Sequence, residues 1–352
     1  MKLFLCQFCG QTLLFENVKC ERCGHQLGYL PDQGLLSAVE PSGASWTALA
    51  SPDKTYRFCA NWEREGCNWM VAPDANDIFC IACRHNRTIP NISDPANHMR
   101  WQKIEAAKRR LVYTLLNLDL PLPTAASNDS EPLIFDFLAN PAEQSNGSKV
   151  MTGHDNGIIT LSLVEADDAM REQLRVAMGE PYRTLLGHFR HEIGHYYWDR
   201  LVRDGGRIDS CRAVFGDESQ DYEEALKRHY TNGSPPDWRQ EFVSAYSTSH
   251  PWEDFAETFA HYLHIVDTLE TAAAFGIRTK PKVPDGSALS AEVDFLPHRC
   301  RDIHRLIDAW LPLTLAMNSI NRSMGQADLY PFVLPPRAIE KLGYVGDLIH
   351  AA

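Results

Sequence analysis

The stretch LLGHFRHEIGHYYWDRL, residues 185–201, holds three histidines within eight positions and a glutamate beside the second of them. The spacing predicts a helix. On a helix His191 and His195, at i and i+4, leave the same face one turn apart and can grip one ion. Glu192 then aims at a water on that ion rather than at the ion itself, giving two ligands and a general base. His188, one turn before His191, could compete as a ligand but reads better as a surface or supporting residue.

Two histidines need a third ligand to hold zinc. The stretch HPWEDFAETFAHYLH, residues 250–264, offers Glu253 and Glu257 one turn apart on a second predicted helix, spanning about 252–274. Paired acids at this spacing usually lie on a wet helix face. Phe255, Ala256, Phe259, Ala260 and Leu263 make this helix largely apolar, so acids flanked that way are not expected to be ornamental. On spacing alone either acid reaches the ion. His261 is one turn beyond Glu257 and is expected to pair with it.

Eight of the ten cysteines lie before residue 84. Cys6, Cys9, Cys20 and Cys23 form one group; Cys59, Cys67, Cys80 and Cys83 form another. Each CxxC turn brings two thiolates to one tetrahedral point, and Gly10 and Gly24 suit tight ribbon turns. Two structural zinc sites folding a tandem zinc ribbon are expected. A redox CxxC would need a βαβ context that the sequence does not present here. Cys211 and Cys300 read as free thiols.

The chain has 352 residues and a formal charge of −12, which excludes a general nucleic-acid binder but leaves room for a local basic patch. No apolar run approaches bilayer length, and MKLFLCQFCG shows no cleavable signal pattern, so a reducing, cytoplasmic setting is expected, where clustered cysteines are metal ligands before disulfides.

SDPANHMRWQKIEAAKRRLVYTLLNLDLP, residues 93–121, predicts a helix capped by Asp94 or Ser93 and stopped by Pro121. Its Lys108, Arg109 and Arg110 read most simply as a solvated face, with a partner or nucleic-acid surface as the alternative. Residues 123–131 read as a polar linker. Residues 132–140 and 157–165 read as strands, the second placed where metallopeptidases often hold an extended peptide by edge pairing. His154 reads as a turn residue. Two helices are expected across 167–203, broken near GEPY and ended at Gly205-Gly206. Residues 204–240 read as mixed and residues 277–290 as a loop able to form a lid. Helices are expected at about 299–323 and in PPRAIEKLGYVGDLI.

TSHPWEDFAETFAHYL resembles the third-ligand segment of anthrax lethal factor-type gluzincins, with its E-x-F-A-E core. The resemblance implies that Glu253 binds zinc and that Glu257 hydrogen-bonds a ligand histidine; the swapped assignment stays open. It also implies that Tyr246, seven residues before Glu253, points at the metal and stabilises an oxyanion, against the plainer reading of one more core aromatic. Along nearly its full length the chain resembles a bacterial family of zinc-binding metallopeptidases that joins an N-terminal zinc ribbon to an HExxH domain. The matching pieces are the eight cysteines, GHDNGIITLSL, FRHEIGHYYWDRL, HPWEDFAETFAHYLHI and ADLYPFVLPPRAIEKLGYV. The expectation is an α+β chain: a tandem zinc-ribbon module over residues 1–92 and a zincin-like, mostly helical metallopeptidase domain over 93–352. One catalytic and two structural zinc ions would serve a peptide or protein substrate. The ribbons would recruit a protein or nucleic-acid partner, or brace the domain. The rival from another class is a zinc-ribbon adaptor with an inactive zincin-like scaffold.

Overall fold

The computed structural model describes residues 1–139, 150, 152–177 and 180–352. The chain divides into two compact units, one of residues 1–113 and 122–172, the other of 114–121 and 173–352. The first unit opens with a short antiparallel hairpin, β1 (Phe4–Leu5) and β2 (Thr12–Leu13). An antiparallel meander follows: β3 (Gln26–Leu30), β4 (Leu35–Ser42), β5 (Ser45–Ala48), β6 (Ser51–Phe58) and β7 (Met70–Val71). Leu30, Val39, Ala48, Tyr56 and Met70 fill its core.

Next come β8 (Asn86–Thr88), α1 (Pro95–Asn117), β9 (Ile134–Leu138), β10 (Gly153–Asp155) and β11 (Ile158–Ser162). Asp94 caps α1 as expected, its Oδ1 accepting from the Ala96 amide at 2.8 Å. The sheet order is β10-β11-β9-β8, with β9 parallel to both its neighbours. This corrects one expectation. The strand expected at 157–165 offers no free edge, because β10 pairs along β11 on the side away from β9. The cause is the Asn156-Gly157 turn, with φ of 47° and 83°, the two positive angles of the tight turn that folds a strand straight back on itself.

A second correction concerns α1. Lys108 does not lie on a solvated face: its side chain is fully buried and ion-paired to the equally buried Glu105 at 2.9 Å. Arg109 donates to the Gly66 carbonyl, and Arg110 pairs with Glu16 at 2.6 Å.

α2 (Asp168–Ala177) contains the point, after residue 172, where the chain passes from the first unit to the second. The second unit is helical, apart from a two-residue strand pair that closes the loop expected at 277–290. Its elements are α3 (Leu185–Trp198), α4 (Ile208–Phe215), α5 (Tyr222–Asn232), α6 (Pro251–Ala274), β12 (Arg278–Thr279), β13 (Ala291–Glu292), α7 (Ile303–Ser323) and α8 (Pro336–His350). Of the break expected near GEPY, Gly179 lies outside the described residues. α3 is started by Thr184, whose hydroxyl accepts from the Gly187 amide at 3.0 Å, and runs into a single wide turn at Asp199–Arg203 before Gly205. α6 starts on His250: Nδ1 accepts from the Trp252 amide at 3.1 Å while Nε2 donates to the Gln220 carbonyl. No helix among the described residues is long and apolar enough to cross a membrane.

Candidate metal centre

α3 and α6 are the core pair of the second unit, and Gly194 sets how close they come. A Cβ added there would stand 2.9 Å from Ala256 Cα and 3.0 Å from its carbonyl oxygen. Only glycine lets the helices meet backbone to backbone at this point. Behind the crossing, Arg190 of α3 pairs with Asp267 of α6, which also accepts from Thr114 at 2.8 Å and from His298 at 3.0 Å. The helices are thus held both by close packing and by a buried charge network.

The close crossing carries Glu253 to the two histidines. His191 Nε2 and His195 Nε2 lie 3.2 Å apart. Glu253 Oε2 is 3.0 Å from the first and 3.4 Å from the second. A tetrahedral zinc with bonds near 2.0–2.1 Å sets its donors about 3.3–3.4 Å apart. The three donor atoms form a triangle of that size, so these residues fit the ion. Their electrostatics agree. Burial works against a charge on His191, but Glu253 and Glu257 outweigh it and hold the imidazole far above its usual range. Burial likewise opposes the Glu253 carboxylate, and His195 and His191 hold it well below the ordinary value. The protein builds a place for positive charge.

Glu257 lies outside the triangle. Its Oε1 sits 2.8 Å from His191 Nδ1, and its Oε2 accepts from Ser244 at 2.7 Å. This fixes Nδ1 as the protonated nitrogen and turns Nε2 to the ligand face. Trp252 packs on the His195 ring at a centroid distance of 3.7 Å. Glu192 is 8% exposed on α3, next to the first ligand. Tyr246 stands over His191 with ring centroids 5.9 Å apart; burial, then Glu253 and Tyr222, push its hydroxyl far up, so it remains a proton donor. Sequence reasoning missed Tyr222, which donates to Glu253 Oε1 at 2.6 Å. It also missed Ser244 and Trp252.

The two cysteine groups each converge. In the first, Cys6 and Cys23 sulfurs are 3.6 Å apart, as are those of Cys9 and Cys20. In the second, Cys67 and Cys80 are 3.7 Å apart. A disulfide would be near 2.05 Å. Four thiolates on one zinc with 2.3 Å bonds stand about 3.8 Å apart. Backbone N–H groups support the thiolates: Trp69 donates to Cys67 and Cys80 to Cys59, each at 3.4 Å. In the first group the thiols share their charge unequally: the Cys23 backbone amide, against some burial, draws Cys20 down to about 6, while against the His25 amide, burial and the neighbouring thiols push Cys23 up to about 12. The four thiols of the second group are buried, and both Lys108 and Arg109 are cations set against them. Burial disfavours the Lys108 charge, yet Glu105 and Cys83 keep it protonated above its ordinary value.

A model of the family described as "Putative zinc-binding metallo-peptidase" matches residues 97–348, and a zinc-ribbon model matches residues 3–94. The chain belongs to this metallo-peptidase family. Uncharacterized proteins of Mycobacterium bovis and of two strains of Mycobacterium tuberculosis are each 41% identical over 350 residues, spanning 99% of this chain and 95% of the relative. No solved structure matches the chain.

The remaining sequence expectations of this family member divide. His188 is half-buried and stands outside the ligand triangle. His261 does not hydrogen-bond Glu257; its Nδ1 meets the Tyr330 hydroxyl at 2.6 Å, and burial pushes the imidazole down to about 4. His154 accepts from the Gly157 amide at 3.1 Å and so stabilises the Asn156-Gly157 turn. Cys211 and Cys300 form no disulfide.

Proposed function

We propose that the protein is a zinc-dependent endopeptidase with a zincin-like domain over residues 93–352, joined to a tandem zinc-ribbon module over residues 1–92. The observation that carries this reading is the triangle of His191, His195 and Glu253 donors, with buried Glu192 on the same helix. His191, His195 and Glu253 would hold one zinc ion, and the two cysteine groups one structural zinc each. Zinc in such a three-ligand site acts as a Lewis acid, lowering the pKa of water and polarising a carbonyl.

The residues do the rest. Glu192 takes a proton from the attacking water on a carboxylate oxygen and hands it to the departing amine nitrogen. Glu257 keeps His191 in the tautomer that presents Nε2, and Ser244 keeps Glu257 in place. The Tyr246 hydroxyl, held protonated by its surroundings, donates to the oxyanion that forms on the substrate carbonyl. A peptide or protein is the substrate class.

The test is Glu192→Gln. Glutamine keeps the size and shape of the side chain, so zinc content and melting temperature should match the parent. Cleavage of a peptide library should fall about 10²–10⁴-fold. Turnover close to the parent's would sink the mechanism.

A further inference from the structure

The third ligand has two oxygens, and their surroundings differ. Glu253 Oε2 faces both imidazoles at 3.0 and 3.4 Å. Oε1 accepts from the Tyr222 hydroxyl at 2.6 Å, in the range of a strong charge-assisted O–H···O⁻ bond. Tyr222 comes from α5, thirty-one residues before its partner, and is anchored on three sides. Asp221 caps α5 by accepting from the Glu224 amide at 2.9 Å. His250 ties Gln220 to the start of α6. The Tyr222 ring packs edge-on against His250 and Trp252. Tyr222 is therefore fixed at both its backbone and its ring, with its hydroxyl aimed at a single oxygen of the buried acid.

We infer that Tyr222 is a positioning residue of the metal centre, holding Glu253 to coordination through one oxygen. The reasoning is steric and electrostatic. A carboxylate free to rotate can bring its second oxygen onto an ion and take up the position that a hydrolytic site leaves for water. A hydroxyl bonded to that oxygen stabilises its charge where it stands and costs energy to abandon. Tyr246 plays a different part. It lies over His191, and its hydroxyl faces the Tyr222 hydroxyl rather than the metal ligand's carboxylate. The two tyrosines are neighbours, and only Tyr222 donates to the ligand Glu253, so their Phe variants are compared side by side. This inference rests on the proposed zinc site.

The experiment replaces the catalytic ion of the full-length protein with cobalt(II), leaving the cysteine-bound zinc in place, and compares parent, Tyr222→Phe, Tyr222→Leu and Tyr246→Phe. Four-coordinate cobalt absorbs much more strongly in the visible than five-coordinate cobalt, so the readout needs no substrate. The expected result is a strong band in the parent and in Tyr246→Phe, and a weakened, shifted band in both Tyr222 variants. On the zinc-loaded protein, Tyr222→Phe should lose about 10–100-fold in kcat with KM little changed. An unchanged cobalt band in Tyr222→Phe overturns the inference. So does a loss seen in Tyr222→Leu but not in Tyr222→Phe, which would assign the effect to ring packing. A parent that takes up no cobalt at this site overturns the zinc-site reading itself. A parent with the expected band but no peptidase activity leaves the inference standing while refuting the proposed reaction.

Discussion

Gly194→Ala is the most exacting probe of the site, because it changes no ligand and adds one methyl group. On propensity alone alanine should stabilise α3 by about 1 kcal/mol. Sterically it cannot fit. The new carbon would stand 2.9 Å from Ala256 Cα, 3.0 Å from its carbonyl oxygen and 3.2 Å from Phe259 Cβ. Carbon contacts rest at about 3.5–4.0 Å, so α3 and α6 must part by roughly 0.6–1 Å. Such overpacking costs about 1–3 kcal/mol, which leaves a net destabilisation of about 0–2 kcal/mol and a melting shift of only a few degrees. The donor triangle is far less forgiving, since metal–ligand distances tolerate about 0.2 Å. The parting carries Glu253 away from the two histidines by several times that amount. Bound zinc should fall from three ions per chain, one for each donor group, to two, and peptidase turnover should fall with it. Zinc is counted by elemental analysis after gel filtration and the melt followed by circular dichroism. Three zinc ions and undiminished turnover in Gly194→Ala would refute the idea that the helix crossing sets the site.

The two acids of α6 should fail differently. Glu253→Ala should strip the third zinc, whereas Glu257→Ala should keep it at high zinc with affinity or turnover reduced about 10–100-fold; equal zinc loss in both would reject the division of roles. Cys6→Ser or Cys80→Ser should release one zinc ion and loosen the first unit, because metal binding there is folding energy, while the histidine-bound ion stays. Simultaneous loss of all metal would contradict separate sites. His85, buried and pushed down to about 4 from an ordinary 6.5, is neutral in the fold, so the unfolded chain binds its proton first. Its contribution is whole above pH about 6.5 and is lost as the pH falls through about 4, a change of about 3 kcal/mol. Urea denaturation at pH 7 and pH 4 should show a smaller drop in His85→Phe than in the parent, and an equal drop would count against this assignment.

The ligand helices were legible because their signals are local. His191 and His195, and Glu253 and Glu257, are each one helical turn apart, and that spacing alone fixes a common face. The CxxC pairs are legible for the same reason. Tyr222 was not, because nothing within its own segment marks it; its meaning comes from an acid thirty-one residues on, brought near by the His250–Gln220 clasp. Ser244 was hidden likewise, acting on Glu257 from an irregular segment without periodicity. Lys108 was misread for a different reason. A run of Lys-Arg-Arg looks like a wet face unless one knows that Glu105 and a group of buried thiols lie beneath it. The free strand edge failed on a turn: the Asn-Gly pair was in plain view, and it folds β10 back along the strand that was expected to receive a peptide.

The buried pair of Lys341 on α8 with Asp254, the neighbour of Glu253, has a consequence for assembly. The eight clustered cysteines all lie before residue 84, so both of their donor groups are complete in the sequence ahead of either histidine of the third group. The third donor group is drawn from elsewhere in the sequence. Its histidines come more than a hundred residues later, its glutamate later still, and the helix that neutralises Asp254 comes almost last. The two kinds of candidate metal site therefore assemble from separate stretches of chain, the cysteine groups from residues 6–83 and the His191–His195–Glu253 group only once α3, α6 and α8 have come together.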